Sequence, residues 1–388
     1  MNIETRKDND TLTISLIGRL DTNTTPKLEQ EVESLDGINN LVFDLEKLDY
    51  ISSSGLRLIL KCKKKINSTR IINCTSEIYD IFNMTGFSEM MEIDRAYREI
   101  SIDNCEKIAE GFYGTIYRID SETIVKVFKM PNALETIKRE RELAKKAFVL
   151  GIPTAIAYDI VKVGDLYGAI FELINAEVSV DSIKTDEILD DFAKKCTSIL
   201  KNMHEIDVKH GDFPSRKERV VGWLKDCKKY FTEDIYNKLM NLLDSIPESN
   251  HLLHCDFHVK NIMIQNGDLL IIDMDTLSIG HPIFEFSALY SVYIGFACVD
   301  KENTDKFLGL PLDITTRLFN KIIRYYYADK SESELEEIIL KLKIISSIQI
   351  LRIRTMFDES VSNMNKEEIE YCKNYLIENV DKFETLNY

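Results

Sequence analysis

Metal-binding cysteine pairs, long apolar runs and clustered positive charge are all missing from this chain. The eight cysteines (62, 74, 105, 196, 227, 255, 298 and 372) include no CxxC pair. Neither a local zinc site nor a disulfide framework is therefore encoded, and reduced thiols are expected. No segment reaches the roughly 18 uncharged apolar residues that span a bilayer, and the opening MNIETRKDND has no apolar signal core. A cytoplasmic protein without a membrane partner is expected. The formal net charge of −16 speaks against a nucleic-acid partner, which needs clustered Lys and Arg. The basic run at Lys61, Lys63, Lys64 and Lys65 follows an apolar helix-like stretch and reads as its solvated end. Low-complexity tracts are also absent, so disorder is not expected.

What remains is a foldable chain of 388 residues, 44% hydrophobic and 29% charged, long enough for two or three domains that each bury a core. Thr11 to Leu20 alternates as a half-buried strand does, with Asn9-Asp10 as a turn before it. Thr25-Pro26 suits the cap and first turn of a helix over LEQEVESLD, where Leu28, Val32 and Leu35 recur at helical spacing. Leu41 to Leu45 reads as a short buried strand. Next, Leu48 to Leu60 ends a strand, presents Ser52, Ser53 and Ser54, and begins an apolar helix. Serines there cap free amides, and the same positive helix end accommodates a phosphate.

Over about residues 1 to 95 the chain resembles the STAS family, the anti-sigma factor antagonist domain. The resemblance lies in Gly18-Arg19-Leu20-Asp21, Phe43-Asp44-Leu45, the Ser-Ser-Gly-Leu helix start and Phe82-Asn83-Met84-Thr85-Gly86-Phe87. It implies an α/β domain whose partner is an anti-sigma factor-like protein. It also implies a regulatory phosphosite at Ser53, with Ser52 and Ser54 as competing positions, because the family often has Asp where this chain has Ser52.

The apolar pattern resets between Asp94 and Asn104 without a Pro/Gly/Ser-rich linker, which places a boundary near residue 96. From Cys105 the sequence EKIAEGFYGTIYRIDSETIVKVFKM predicts strand, glycine turn, strand, turn and strand. Gly111 and Gly114 let backbone approach a polyphosphate, and Lys126 inside an apolar strand needs an anion to meet. In the helix expected over Ala133 to Leu150, Ile137, Glu140, Ala144, Ala147 and Phe148 share one face, so Glu140 is the ion-pair partner expected for Lys126. Glu142, among Lys138, Lys145 and Lys146, reads as solvated. Tyr167 to Ile174 reads as a strand leading to a hinge, with backbone from Glu172 to Ile174 placed to bind adenine.

The densest chemistry is His254-Cys255-Asp256-Phe257-His258-Val259-Lys260-Asn261, followed by an apolar strand ending at Asp273. A hydroxyl nucleophile needs a carboxylate to take its proton, and Mg²⁺ needs hard oxygen ligands that bridge it to phosphates. Asp256 suits the first role; Asn261 and Asp273 suit the second. Asp275 reads equally as a third metal contact or as a brace for the loop. His204 reads as a structural histidine near a helix end, and Tyr325, Tyr326 and Tyr327 as core rather than pocket. Leu335 to Ile353 and Glu367 to Phe383 read as helices.

From about residue 97 onward the chain resembles the aminoglycoside phosphotransferase and choline kinase branch of the kinase-like fold. Gly111-Phe112-Tyr113-Gly114, Lys126, Arg139-Glu140, Met203-His204, the H-x-D-x-x-x-x-N stretch, Ile271 to Asp275 and Gly280-His281-Pro282 carry that resemblance. Protein kinases place a lysine where this chain has His258 and Phe-Gly where it has Met274-Asp275, and little room remains for an activation segment. A small hydroxyl-bearing acceptor, or an unconventional protein serine, is therefore favoured. The expected fold class is α+β: a STAS domain over 1–95, then a bilobal kinase-like domain with a β-rich small lobe over 96–175 and a helical large lobe over 176–388. The expected function is an ATP- and Mg²⁺-dependent phosphotransferase with a regulatory module. The alternative is a partner-switching protein whose kinase-like part senses nucleotide or phosphorylates Ser53.

Overall fold

Asn9 takes a left-handed φ of 53°, which Asn adopts at low cost, and turns β1 (Asn2–Asp8) back on β2 (Thr11–Leu20). The computed structural model describes residues 1–111, 113–175, 183, 185–206, 208–209, 211–356 and 363–388; Phe112 of the glycine turn lies outside them. The chain divides into two compact units, Met1–Ile102 with Ile160–Tyr167, and Asp103–Asp159 with Gly168–Tyr388.

In the first unit, α1 (Thr25–Glu31), β3 (Asn40–Ile51), α2 (Ser53–Lys65), β4 (Ser68–Cys74), α3 (Ser76–Met84), α4 (Phe87–Met90) and β5 (Glu92–Arg95) follow β2. The five strands lie in the order β1-β2-β3-β4-β5. Only β1–β2 is antiparallel, and the other neighbours run parallel. Ile14, Leu16, Leu41, Phe43, Leu45, Ile59, Ile71 and Phe82 form the core. The crossover helices supply its cover, as parallel pairing requires. A Cβ on Gly55 would sit 2.7 Å from the Leu20 side chain, so glycine is what lets α2 lie close against β2. Two sequence expectations are corrected here. The helix from Thr25 stops at Glu31, with Val32 buried beyond its end, and β3 runs on to Ile51 through register shifts against β2. The short β6 (Arg98–Glu99) pairs in parallel with Val161–Lys162.

The second unit opens with the antiparallel strands β7 (Glu106–Glu110), β8 (Gly114–Arg118) and β9 (Thr123–Phe128). Helix α5 (Leu134–Val149) then leads into β10 (Ala157–Val163) and β11 (Leu166–Glu172), of which Ile160–Tyr167 belongs to the first unit, and β11 pairs antiparallel with β9. The α5 face buries Ile137, Glu140, Leu143, Ala144 and Ala147. Phe148, expected on that face, is 48% exposed.

Helices α6 (Asp186–His204), α7 (Arg216–Asp226) and α8 (Glu233–Asp244) come next. They are followed by the short strands β12 (Leu252–Leu253), β13 (Ile262–Gln265), β14 (Asp268–Ile271) and β15 (Ser278–Ile279). The chain finishes in α9 (Ile283–Tyr293), α10 (Asn303–Leu308), α11 (Leu312–Tyr326), α12 (Glu332–Met356) and α13 (Asn363–Asn379). Every residue of α9 is buried, so this helix is the axis around which the large helical core packs. Among the described residues no helix is long and apolar enough to cross a membrane.

Candidate active site

Strand β9 buries Val125 and Val127 and places Lys126 between them, opposite Ile116 on β8 and Ala169 on β11. A lysine enclosed by neighbouring strands needs compensating charge. Lys126 Nζ donates to Glu140 Oε1 on α5 at 2.8 Å and to Asp273 Oδ1 at 3.2 Å. Burial opposes the ammonium charge, but the Glu140 and Asp273 carboxylates outweigh it and hold Lys126 well above its ordinary range. The structure thus joins β9, α5 and the segment after β14 at one ammonium group.

The loop from His254 to Asn261 is held from inside. Asn261 Nδ2 donates to Asp256 Oδ2 at 2.9 Å and to the Asp256 carbonyl at 3.0 Å, while His258 Nε2 lies 3.4 Å from Asp256 Oδ1. Burial pushes the Asp256 carboxyl up. The His258 contact, the nearby His254 and the Asn261 bond outweigh it and leave the carboxyl below its ordinary value. Asp256 is thus an ionised carboxylate with a fixed orientation. The Asp256 amide donates to His254 Nδ1 at 3.2 Å, and His254 Nε2 lies 3.2 Å from the Ile272 carbonyl. These bonds fix the Nε2–H tautomer.

Ile272 N donates to the Asn261 carbonyl at 2.9 Å, which ties the end of β14 to the loop. Asp273 follows in the left-handed region, with φ 65° and ψ 68°, a conformation costly for a residue with a side chain and found where function holds it. Asp275 lies near the same carboxylates. Burial, then Asp273 and Glu140, push its carboxyl up to about 7.

The donor set suits magnesium. Asn261 Oδ1 accepts no hydrogen bond among the described residues, Asp273 is a hard oxygen donor, and the carboxylates outnumber the single ammonium. Among the described residues no three His, Cys, Asp or Glu side chains gather closely enough to hold a metal alone.

The other expected positions fall around this centre. Gly111 N donates to the Gly114 carbonyl at 2.8 Å and closes the β7–β8 turn. A Cβ on Gly114 would lie 2.6 Å from the Val127 carbonyl, so close strand packing already demands glycine there. At the end of β11, Glu172 N donates to Ile156 O and Leu173 N to Glu122 O. The Ile174 amide has no such bond among the described residues. In the first unit, Ser52 Oγ caps α2 by accepting from Gly55 N at 3.4 Å, and Ser54 Oγ lies 3.4 Å from Thr22 Oγ1. Ser53 is exposed at the helix start, with no side-chain hydrogen bond among the described residues.

Sequence reasoning missed Glu285. This carboxylate on α9 is fully buried and accepts from His254 N at 2.6 Å and from Cys255 N at 3.0 Å. His204 Nε2 stands 3.9 Å from it, and His204 Nδ1 is 2.6 Å from the Tyr326 hydroxyl. Cys255, in the left-handed region at φ 62°, is the bend that presents both amides to Glu285. A lone acid within the otherwise uncharged, mostly apolar segment IFEFSALYSVY was the available signal, because a buried carboxylate must have donors.

Residues 104–303 match the model of the phosphotransferase enzyme family, and residues 2–100 match that of the STAS domain. The anti-sigma-B factor antagonist of Staphylococcus aureus (strain NCTC 8325 / PS 47) is 28% identical over 100 residues, which are 24% of this chain and 93% of that protein. The Staphylococcus epidermidis protein of the same description is 27% identical over the same shares. Among solved structures, the GDP and kanamycin complex of APH(2")-IIia is similar at a TM-score of 0.50 and 14% identity, covering 78% of this chain and 99% of that one.

Proposed function

Because the chain belongs to the phosphotransferase enzyme family, we propose that it transfers the γ-phosphoryl group of ATP, with Mg²⁺, to a hydroxyl acceptor. In this reading residues 96–175 and 176–388 are the small and large lobes of the enzyme, and residues 1–95 are a regulatory STAS module. The observation that carries the proposal is the double contact of Lys126 with Glu140 and Asp273, beside an Asp256 held by Asn261. Lys126, braced by Glu140, orients the phosphates; Gly111 and Gly114 bring backbone over them; backbone from Glu172 to Ile174 receives the adenine.

Asp256 accepts the proton as the acceptor O–H bond breaks. The acceptor oxygen bonds to the γ-phosphorus, and the bond to the β–γ bridging oxygen breaks to release ADP. Asn261 and Asp273 would hold Mg²⁺, which neutralises charge on the phosphates. Asp256 stays ionised in its site, which suits it to take the proton without an activation step. The short segment after Asp273 and the absence of a lysine at His258 favour a small acceptor.

The exposed Ser53, together with a STAS region that resembles anti-sigma-B factor antagonists, supports a second reading. In that reading the module is switched by a phosphate on Ser53, and it binds an anti-sigma factor-like protein. One screen separates the two. ADP release is followed with amino sugars, choline-like alcohols and serine-containing STAS proteins, alongside the intact mass of the chain after incubation with Mg-ATP. Transfer to a small alcohol with unchanged protein mass supports the first reading, and a gain of one phosphate that Ser53→Ala abolishes supports the second. No ADP release and no mass gain under any condition would refute both.

A further inference from the structure

Arg216, the first residue of α7, is only 2% exposed, yet its Nε–H finds no acceptor and its guanidinium no carboxylate partner among the described residues. Its guanidinium carbon lies 4.7 Å from the centre of the Trp223 ring, and that of Arg219 lies 5.6 Å from the same ring. Two like charges one helical turn apart therefore share a single indole. Cation–π attraction offsets only part of what it costs to bury an unpaired guanidinium and bring a second one beside it.

Neither arginine forms an ion pair among the described residues. Arg219 is exposed, but partial enclosure of its head and the neighbouring Arg216 charge hold its guanidinium below the ordinary value. Asp275 opposes that shift, and Arg139 on α5 adds to it. Burial pushes the Cys255 thiol up to about 12, so it stays neutral. Asp275 forms no ion pair with either arginine among the described residues. Gly280 backs the start of the Arg216 side chain, since a Cβ there would stand 3.4 Å from Arg216 Cβ.

We propose that Arg216 and Arg219 form an anion site, built without Lys126, that takes a phosphate-class tetrahedral oxyanion as inorganic phosphate or as a small phosphate monoester. Guanidinium forks match phosphate oxygens in pairs. A dianion balances both arginines, whereas a carboxylate leaves one unbalanced. Cys255 and Asp275 place this site beside the loop that carries Asp256.

The test is isothermal titration of the full-length chain, without nucleotide, using inorganic phosphate, glycerol phosphate and acetate as probes. Saturable binding of either phosphate probe is expected, and the tighter of the two identifies the natural source. Arg219→Gln and Arg216→Gln should each weaken it by about tenfold or more, the worth of a charge-assisted pair of hydrogen bonds. Lys126→Met should leave it within about twofold. Arg219 is exposed, so its variant carries the test even if Arg216→Gln fails to fold. The proposal is overturned if folded wild-type protein binds neither phosphate probe, if acetate binds as tightly, if Arg219→Gln binds unchanged, or if Lys126→Met protein shown by its melting curve to be folded at the assay temperature no longer binds.

Discussion

Removing the Glu285 carboxylate should loosen the loop that carries Asp256. Glu285 receives two backbone amides, His254 N at 2.6 Å and Cys255 N at 3.0 Å, with no exposure to water. A hydrogen bond to a charged group contributes about 1.5–3 kcal/mol. Two such bonds and the cavity left by truncation put Glu285→Ala at a loss of roughly 4 kcal/mol or more. Glu285→Gln keeps one acceptor oxygen, which both amides reach at the Oε2 position, but it loses the charge and turns an NH₂ group toward the Cys255 amide, so about half that loss is expected.

At about 2–4 °C per kcal/mol for a unit of this size, the melting temperature should fall by roughly 8–16 °C and 4–8 °C respectively. The pH dependence has a definite sign. Burial pushes the Glu285 carboxyl up, but the His204 contact, the nearby His254 and the Cys255 amide outweigh it and hold the carboxyl below its ordinary value of 4.5. Its contribution is therefore present above pH 4.5 and is lost as pH falls through the lower folded value. Thermal melts of the full chain at pH 7.5 and pH 4 check this, and the gap between wild type and Glu285→Gln should narrow in acid. A Glu285→Gln protein that melts with wild type at pH 7.5 would refute the reasoning.

Lys126→Met leaves the Glu140 carboxylate, whose side chain is 5% exposed, without its cation, and should cost on the order of 3–5 kcal/mol. Lys126→Met with Glu140→Leu should recover most of that loss in thermal melts, and a double variant no more stable than the single one contradicts the pairing. At the other end of the unit, hydrogen bonds from Lys194, Lys321 and Tyr325 hold the Asp190 carboxyl well below its ordinary value of 3.8. Its stabilisation is present above that value and fades as pH falls through the folded one. Asp190→Asn should therefore melt below wild type at pH 7 and approach it in strong acid; a gap constant with pH would count against the cluster.

Legibility in the sequence followed the range of the interaction. The bounds of β2 coincide with its alternation, Thr11 to Leu20, because one face of that strand is buried. The edge strand β1 escaped notice, since its residues are nearly all exposed and backbone bonds rather than apolar burial hold it. The shortened α1 follows the same logic: Val32 and Leu35 keep helical spacing, but packing alone places them once the helix has ended. Within the site, Asp256 and Asn261 are neighbours in one loop, so their spacing was visible. Lys126 and Asp273 meet across 147 residues, and only the order of motifs suggested that they would. Glu285 was the least legible, because its partners are backbone amides, which every residue has. The buried Arg216 likewise left no pattern, since burial of a helix N-terminal arginine depends on chain distant in sequence, here β15 and Gly280 after it.

Phosphoryl transfer under wild-type and Asp256→Asn enzyme, followed by ADP release with an acceptor drawn from the screen and by nucleotide binding in parallel, tests the central claim most directly. Loss of a positioned base typically lowers the rate by about 10²–10⁴-fold. The account predicts a fall of that size with nucleotide affinity retained, because Lys126, Glu140 and Asp273 remain in place. Undiminished transfer by Asp256→Asn would contradict it.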